Sequence, residues 1–194
     1  MFKSALAAIL IALPGVAMAE EWTDVYVKVY GGGTAEDAKF AGFGTWDVQE
    51  GHLFGAALGV ATPVPGLSIE LDLSHSSANY AGDTNALVAT LATANAVYSL
   101  PVTGNFGLYG GLGLGYAHVI DDCLSDDQYD ASGYGAAAQV FVGGEVSLVE
   151  AVSVFGEFRY QSALDRVSAT SEGEGTFGVD YARSALLVGL KVSL

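Results

Sequence analysis

Cysteine and basic residues are scarce in this sequence, and these shortages limit its possible cross-links and binding partners. Cys123 is the only cysteine among 194 residues, so no internal disulfide can form. Seven Lys and Arg stand against 22 Asp and Glu, for a formal net charge of −15. Such an acidic chain repels nucleic acid and other anionic polymers, so we predict no nucleic-acid partner.

Long apolar runs are also missing after the N-terminus, although 51% of the residues are hydrophobic. A membrane-spanning helix needs about 20 consecutive apolar residues. Here the apolar residues are spread through short segments instead. Because backbone N–H and C=O groups must be paired within lipid, the remaining way to span a membrane is a closed β-barrel.

The N-terminus carries a predicted export signal. Lys3 precedes an apolar and small run from Ala5 to Val16, and Ala17-Met18-Ala19 is a small-x-small cleavage site. The run is too short to span a membrane as a helix. We predict a signal peptide over residues 1–19 and a single barrel domain over residues 20–194, the alternative being a retained membrane anchor.

The rest of the chain has the two-residue period of β-strands. Between Leu67 and Ser74, aliphatic residues alternate with polar or charged ones. The predicted fold is all-β, a closed antiparallel up-and-down transmembrane barrel of eight strands, each near or above the roughly 9–11 residues that a tilted strand needs. The predicted strands are Trp22–Gly31, Gly51–Ala61, Leu67–Ser77, Leu87–Leu100, Phe106–His118, Gly133–Leu148, Val152–Ala163 and Gly178–Leu194.

The predicted connections alternate in length, as in outer-membrane barrels with short periplasmic turns and longer extracellular loops. Short turns lie at 62–66, 101–105 and 149–151, and longer polar loops at 32–50, 78–86, 119–132 and 164–177. These four loops hold most of the acidic residues. The third has an acidic cluster that either is simply solvated or binds divalent cations, although its spacing is not that of an EF-hand; it comprises Asp121, Asp122, Asp126, Asp127 and Asp130.

Alternation also places charged side chains inside the predicted barrel. Four cations and four anions have inward parity, and a narrow lumen tolerates charges when they are paired. Because the last strand must lie beside strands one and seven, Glu157 is the expected partner of Arg183 or Lys191. The predicted lumen network is Lys28, Glu70, Asp72, Glu145, Glu157, Arg159, Arg183 and Lys191.

Glycines of the fifth predicted strand share the inward parity, where small residues relieve crowding in a narrow barrel. They are Gly107, Gly111, Gly113 and Gly115. A nucleotide-binding loop is excluded here, because the strand lacks the helix and the Lys-Ser/Thr pair that follow such a loop.

Two stretches resemble the OmpA-like, opacity-protein-like outer-membrane β-barrel family, often called porin family proteins. They are Thr93-Ala94-Asn95-Ala96-Val97-Tyr98-Ser99-Leu100 and Phe106-Gly107-Leu108-Tyr109-Gly110-Gly111-Leu112-Gly113-Leu114-Gly115-Tyr116. The chain ends in a Gly-x-x-apolar-x-apolar pattern made by Gly189, Val192 and Leu194, which resembles the family's assembly signal, although the last residue is usually aromatic. The resemblance implies a location in the outer membrane of a Gram-negative bacterium, contact with lipopolysaccharide, and the barrel-assembly machinery as a partner.

Three functions fit this sequence. We predict a surface scaffold that displays four acidic loops over a charge-filled lumen, with at most a narrow or gated pore, no cofactor and no enzymatic activity. The alternatives are a small-solute pore and a deacylase-like enzyme acting on lipid A. The enzyme would depend on His75 and Ser77, whose spacing resembles the His-x-Ser of lipid A deacylases, but no partner carboxylate can be placed.

Overall fold

The computed structural model describes residues 24–40, 44–45, 50–79, 86–122, 131–165, 167–171 and 175–194. These residues form ten β-strands, and no helix among them is long and apolar enough to cross a membrane. The strands are β1 (Val25–Phe40), β2 (Gly44–Thr45), β3 (Gly51–Ala61), β4 (Leu67–Asn79), β5 (Ala86–Thr103), β6 (Phe106–Asp122), β7 (Ala131–Val149), β8 (Val152–Ala163), β9 (Val167–Ser171) and β10 (Gly175–Ser193).

Eight of the strands close into an antiparallel barrel, which confirms the predicted fold class. Each long strand pairs with the next, and β1 pairs with β10 to close the sheet, with Lys28 opposite Lys191. The two short strands, β2 and β9, do not add to the eight strands of the barrel. β2 extends the hairpin after β1, and β9 continues the line of β8 between β7 and β10.

Strands β3 and β8 have the predicted bounds, whereas several others run further toward the long connections. The prediction of a loop beginning at Gly32 was wrong, because β1 continues to Phe40. Gly32 pairs with Leu187 of β10, and a Cβ there would overlap the backbone of Leu186. Gly32 therefore permits close strand approach here, although in the sequence the three consecutive glycines look like the start of a loop.

The outer face is apolar, and the inner face carries polar, aromatic and aliphatic side chains. Aliphatic residues such as Leu71, Leu73 and Val188 are exposed on the barrel wall. Inside, Gly111 and Gly113 leave the space that the Phe141 ring and the Asn95 amide occupy. The interior of an eight-stranded barrel is only wide enough for its own side chains.

Candidate functional site

All eight residues of the predicted lumen network have side chains on the inner face. Six of them are buried, and the side chains of Glu145 and Lys191 are each 19% exposed. A buried charge is tolerated only when it is paired and hydrogen-bonded. The partners of each group therefore decide how the lumen is held together.

Arg159 of β8 is the centre of the network, and its side chain is 1% exposed. Its Nε donates to Glu157 Oε1 at 2.7 Å, and its Nη1 donates to Asp72 Oδ1 at 3.1 Å. The same nitrogen donates to the Tyr30 hydroxyl at 2.9 Å, and Tyr30 in turn donates to Asp72 at 2.6 Å. One guanidinium thus joins β1, β4 and β8, which are not neighbouring strands.

Lys28 and Glu70 form a second buried pair nearer the short turns. Lys28 Nζ lies 2.7 Å from Glu70 Oε2, and the two side chains are 4% and 0% exposed. Tyr26 donates to the same carboxylate at 3.2 Å. The Lys28 ammonium also lies 4.8 Å from the centre of the Tyr109 ring, where a cation–π interaction adds to the ion pair.

Arg183 of β10 differs, because it has no carboxylate partner among the described residues. It donates to Gln161 Oε1 at 2.6 Å, to Ser74 Oγ at 2.9 Å and to Ser76 Oγ. Gln161 also donates to Gln139 Oε1 at 2.7 Å. Neutral oxygens thus satisfy this guanidinium and link it to a chain of amides.

That amide chain extends from the Arg183 level toward the Glu70 level. Gln139 donates to Asn95 Oδ1 at 2.6 Å and to Thr93 Oγ1 at 2.8 Å, and Asn95 donates to Glu70 at 3.4 Å. Side chains from β4, β5, β7, β8 and β10 therefore form one connected set of hydrogen bonds. Such connected networks hold their members more firmly than isolated pairs do.

The prediction that Glu157 pairs with Arg183 or Lys191 was wrong. Glu157 binds Arg159 and accepts from Tyr109 at 3.0 Å, while Lys191 binds Glu145 at 3.0 Å. The strand register gives the reason, because Leu187 lies opposite Glu157. Arg183 and Lys191 are each four residues from Leu187, about 13 Å along the strand, which is too far for direct contact.

Apolar and aromatic side chains fill the rest of the lumen. A cluster around the ion pairs includes Tyr30, Tyr109, Phe141 and Phe155. A second cluster, which we call the apolar plug, lies in the half of the barrel nearer the long connections. It consists of Leu87, Ala89, Leu91, Ala117, Val119, Ala137, Val167, Val179 and Tyr181, all buried.

Several lumen residues were missed in the sequence analysis, most notably Glu36. It was assigned to a loop but is buried in β1, where it accepts from Tyr181 at 3.1 Å and from Thr34 at 3.3 Å. Its parity matches that of Tyr30 and Thr34, so continuing the alternation past the glycines would have found it. The neutral members, such as Gln139 and Gln161, carry the same signal of a polar residue at an inward position.

The two candidate catalytic residues lie on the outer wall. His75 Nδ1 is 2.9 Å from Thr90 Oγ1, and the His75 ring lies against Phe54. Ser77 has the same parity, but its cross-strand neighbours are His52 and Val88. No ion pair or side-chain hydrogen bond joins His75 to a carboxylate among the described residues, so the orienting acid of a catalytic triad is not seen there.

The C-terminal residues predicted for assembly lie at the end of β10, with Leu194 directly after its last residue. Gly189 packs against Phe155, Val192 is exposed on the wall, and Leu194 N donates to Val25 O at 2.8 Å. Within the described ranges, no group of three His, Cys, Asp or Glu could hold a metal ion.

The acidic cluster of the third loop falls largely outside the described residues. Asp121 and Asp122 belong to the backbone of β6, which corrects the predicted start of that loop, but their side chains are not described. Cys123, Asp126, Asp127 and Asp130 lie in the segment that the structure does not describe. Cation binding at this cluster stays a prediction.

Known proteins agree with this architecture. The family described as "Outer membrane protein beta-barrel domain" matches residues 4–191. Neisserial surface protein A has a TM-score of 0.66 at 16% identity, covering 88% of this chain and 98% of its own. Ail, the attachment invasion locus protein of Yersinia pestis, has a TM-score of 0.51 at 10% identity, covering 89% and 100%. Among curated proteins, none matches the sequence significantly.

The family match covers nearly the whole chain, whereas the structural likenesses, at such low identity, show the fold alone. The chain therefore belongs to the outer-membrane β-barrel domain family and is an outer-membrane protein of a Gram-negative bacterium.

Proposed function

For this outer-membrane barrel, we propose the role of a sealed scaffold, which holds acidic loops at the cell surface without passing solutes. The observation that carries the proposal is the filling of the lumen. Arg159 spans it between β1, β4 and β8, and Arg183 joins the amide chain at another level. The apolar plug occupies the half nearer the long connections.

Each kind of filling opposes ion flow for a different reason. An ion passing the Arg159 level would have to displace hydrogen-bonded charges, and breaking a buried pair costs about 3–5 kcal/mol. The apolar plug offers a permeating ion no replacement for its hydration shell. The two barriers lie in series, so both must open before ions pass.

Conductance in planar bilayers tests this proposal. We expect the refolded wild-type barrel to show no stable channel openings. A variant with Arg159→Ser, Leu87→Ser and Leu91→Ser shortens buried side chains at both barriers and is expected to leak. The matched control, Tyr134→Ser, shortens an exposed side chain on the outer wall and should stay closed. Stable, uniform openings of the wild type would overturn the sealed scaffold in favour of a pore.

Surface charge supports the display role. The chain has a net charge of −15, and the described lumen holds five carboxylates against four cations, with Glu36 as the fifth carboxylate. The described lumen therefore accounts for little of this excess, and most of the acidic residues fall in the predicted loops. Such a surface favours cationic partners, including divalent ions that bridge to lipid phosphates.

The alternative function, a lipid A enzyme, would require His75 on the outer wall to act as a catalytic residue. A hydrogen bond to Thr90, with Ser77 facing other neighbours, supports a non-catalytic role for this imidazole. We expect the lipid A mass spectrum of a host strain to be the same with and without expression of the protein. Loss of one acyl chain that is abolished by Ser77→Ala would instead establish a deacylase.

A further inference from the structure

A row of ring and hydroxyl side chains crosses the outer wall along the direction of the inter-strand hydrogen bonds. Phe54, His75, Thr90, His118 and Tyr134 are successive cross-strand neighbours on β3, β4, β5, β6 and β7. The Phe54 and His75 ring centres are 5.2 Å apart, and His118 stacks on Tyr134 at 4.1 Å with an 8° angle between ring planes. We call this set the outer row.

His75 of the outer row lies near the height expected for the lipid headgroups. His75 is eight residues from Leu67, where β4 leaves the short turn. Eight residues span about 27 Å along a strand, and at a tilt of about 40° this rises roughly 21 Å. The apolar band of such barrels is about 25 Å tall, so His75 is near its upper edge.

The His75–Thr90 pair leaves a hydrogen-bond donor unused. If the Thr90 hydroxyl donates to Nδ1, the neutral ring carries its proton on Nε2. If Nδ1 donates to the Thr90 oxygen instead, the Thr90 hydroxyl proton has no acceptor. Neither side chain makes another side-chain hydrogen bond in the described part of the chain. An unpaired donor at the edge of the lipid is costly, so an acceptor at this level is favoured.

A groove of about 320 Å³ lies between β1, β3 and β4, on the side of His75 nearer the short turns. Ala56 and Leu73 stand two residues nearer the short turns than Phe54 and His75. The small Ala56 side chain leaves a depression between its larger neighbours. The outward side chains around it are Val27, Leu58, Leu71 and Leu73, all aliphatic.

From this juxtaposition we propose a site for one phosphate-bearing diacyl lipid on the outer wall. An acyl chain lies in the Ala56 groove, and a phosphate oxygen accepts the free donor of the His75–Thr90 pair. Lipid covers this wall in an outer-membrane protein. The described outward side chains of β3, β4 and β5 include no carboxylate that would repel the phosphate. The proposal does not depend on whether the lumen conducts.

Native mass spectrometry of the refolded protein in detergent tests the site with three probes. Phosphatidic acid carries chain and phosphate, diacylglycerol with the same chains lacks the phosphate, and inorganic phosphate lacks the chains. We expect a one-to-one adduct with phosphatidic acid, a weaker one with diacylglycerol, and none with inorganic phosphate. Equal retention of the two lipids would overturn the headgroup contact, and a tight complex with inorganic phosphate would overturn the lipid as ligand.

Two variants separate the parts of the site, with heat-modifiable gel mobility confirming that each variant is folded. Ala56→Leu fills the groove and should weaken both lipid adducts at least tenfold, whereas Ala138→Leu, an outward alanine on β7, should leave them unchanged. The double variant His75→Phe with Thr90→Val removes both possible donors, so it should reduce phosphatidic acid binding to the level of diacylglycerol without altering diacylglycerol binding. If Ala56→Leu and Ala138→Leu behave alike, lipid binds the wall without a site.

Discussion

Arg159→Met offers the sharpest test of the lumen, because it keeps most of the side-chain volume and removes the charge. The guanidinium is the shared partner of Asp72 and Glu157, and both carboxylates are fully buried in these ion pairs. After the substitution, Tyr30 still donates to Asp72 and Tyr109 still donates to Glu157. Two anions nevertheless remain in a lumen where no other ion pair reaches them among the described residues.

The size of the effect follows from burial. Removing one partner of a buried pair costs about 3–5 kcal/mol, because the remaining charge is uncompensated. The Lys191–Glu145 pair is an internal control, since its side chains are 19% exposed. Solvent screens such a pair, and a surface ion pair contributes only about 0–1 kcal/mol. We therefore expect Arg159→Met to destabilise the barrel several-fold more, in free energy, than Lys191→Met.

Urea unfolding in lipid vesicles, followed by circular dichroism, measures both substitutions. A double-mutant cycle of Arg159→Met with Asp72→Asn isolates the pair, and we expect a coupling of about 1–3 kcal/mol. If the two substitutions add to within about 0.5 kcal/mol, the residues are not coupled. Equal costs at Arg159 and Lys191 would also refute the argument, because burial would then not decide the energy.

Three further predictions concern the wall, the packing and the topology. Leu71 is 48% exposed on the outer wall, so Leu71→Arg should cost about 2–4 kcal/mol near the bilayer midplane, whereas Val64→Arg in a short turn should cost almost nothing in the same unfolding assay. Gly143→Val would push a side chain into the Tyr109 ring, so it should lower the yield of heat-modifiable folded protein. The control is Gly104→Ala in an open turn, which has only a small cost from the positive φ of Gly104. Protease added to intact cells should cut within 123–130 and spare 62–66, and cleavage that requires permeabilised cells would contradict the proposed orientation.

Local alternation explains why so much of the barrel could be predicted from the sequence. Successive side chains of a strand point to opposite faces, so Glu70 and Asp72 on β4 are inward whenever Leu71 and Leu73 are outward. The same parity rule placed Arg159 and Arg183 inside. It needs no knowledge of which strand lies opposite, and this is why face assignments were correct where contact assignments were not.

Contacts across the lumen depend on register and stagger, which a single strand does not encode. Glu157 was matched to the correct neighbouring strand, β10, but it meets Leu187 there, at the midpoint between the two cations. The reach of β1 was underestimated for a related reason. Pairing of Gly31, Gly32 and Gly33 with β10 keeps the strand extended, and only the partner strand makes this visible.

The central contacts of the lumen also bear on how the barrel closes. Tyr30, Asp72 and Arg159 lie on strands that do not pair with one another, and Arg159 is separated by 129 residues from Tyr30 and by 87 from Asp72. These bonds cannot form within a hairpin or an open sheet, because the three strands meet only across a closed lumen. Aliphatic side chains in the same places would pack in many partial assemblies. The directional bonds of Arg159 therefore favour the closed barrel over its open precursors, since a partly closed sheet would leave the charges without their partners.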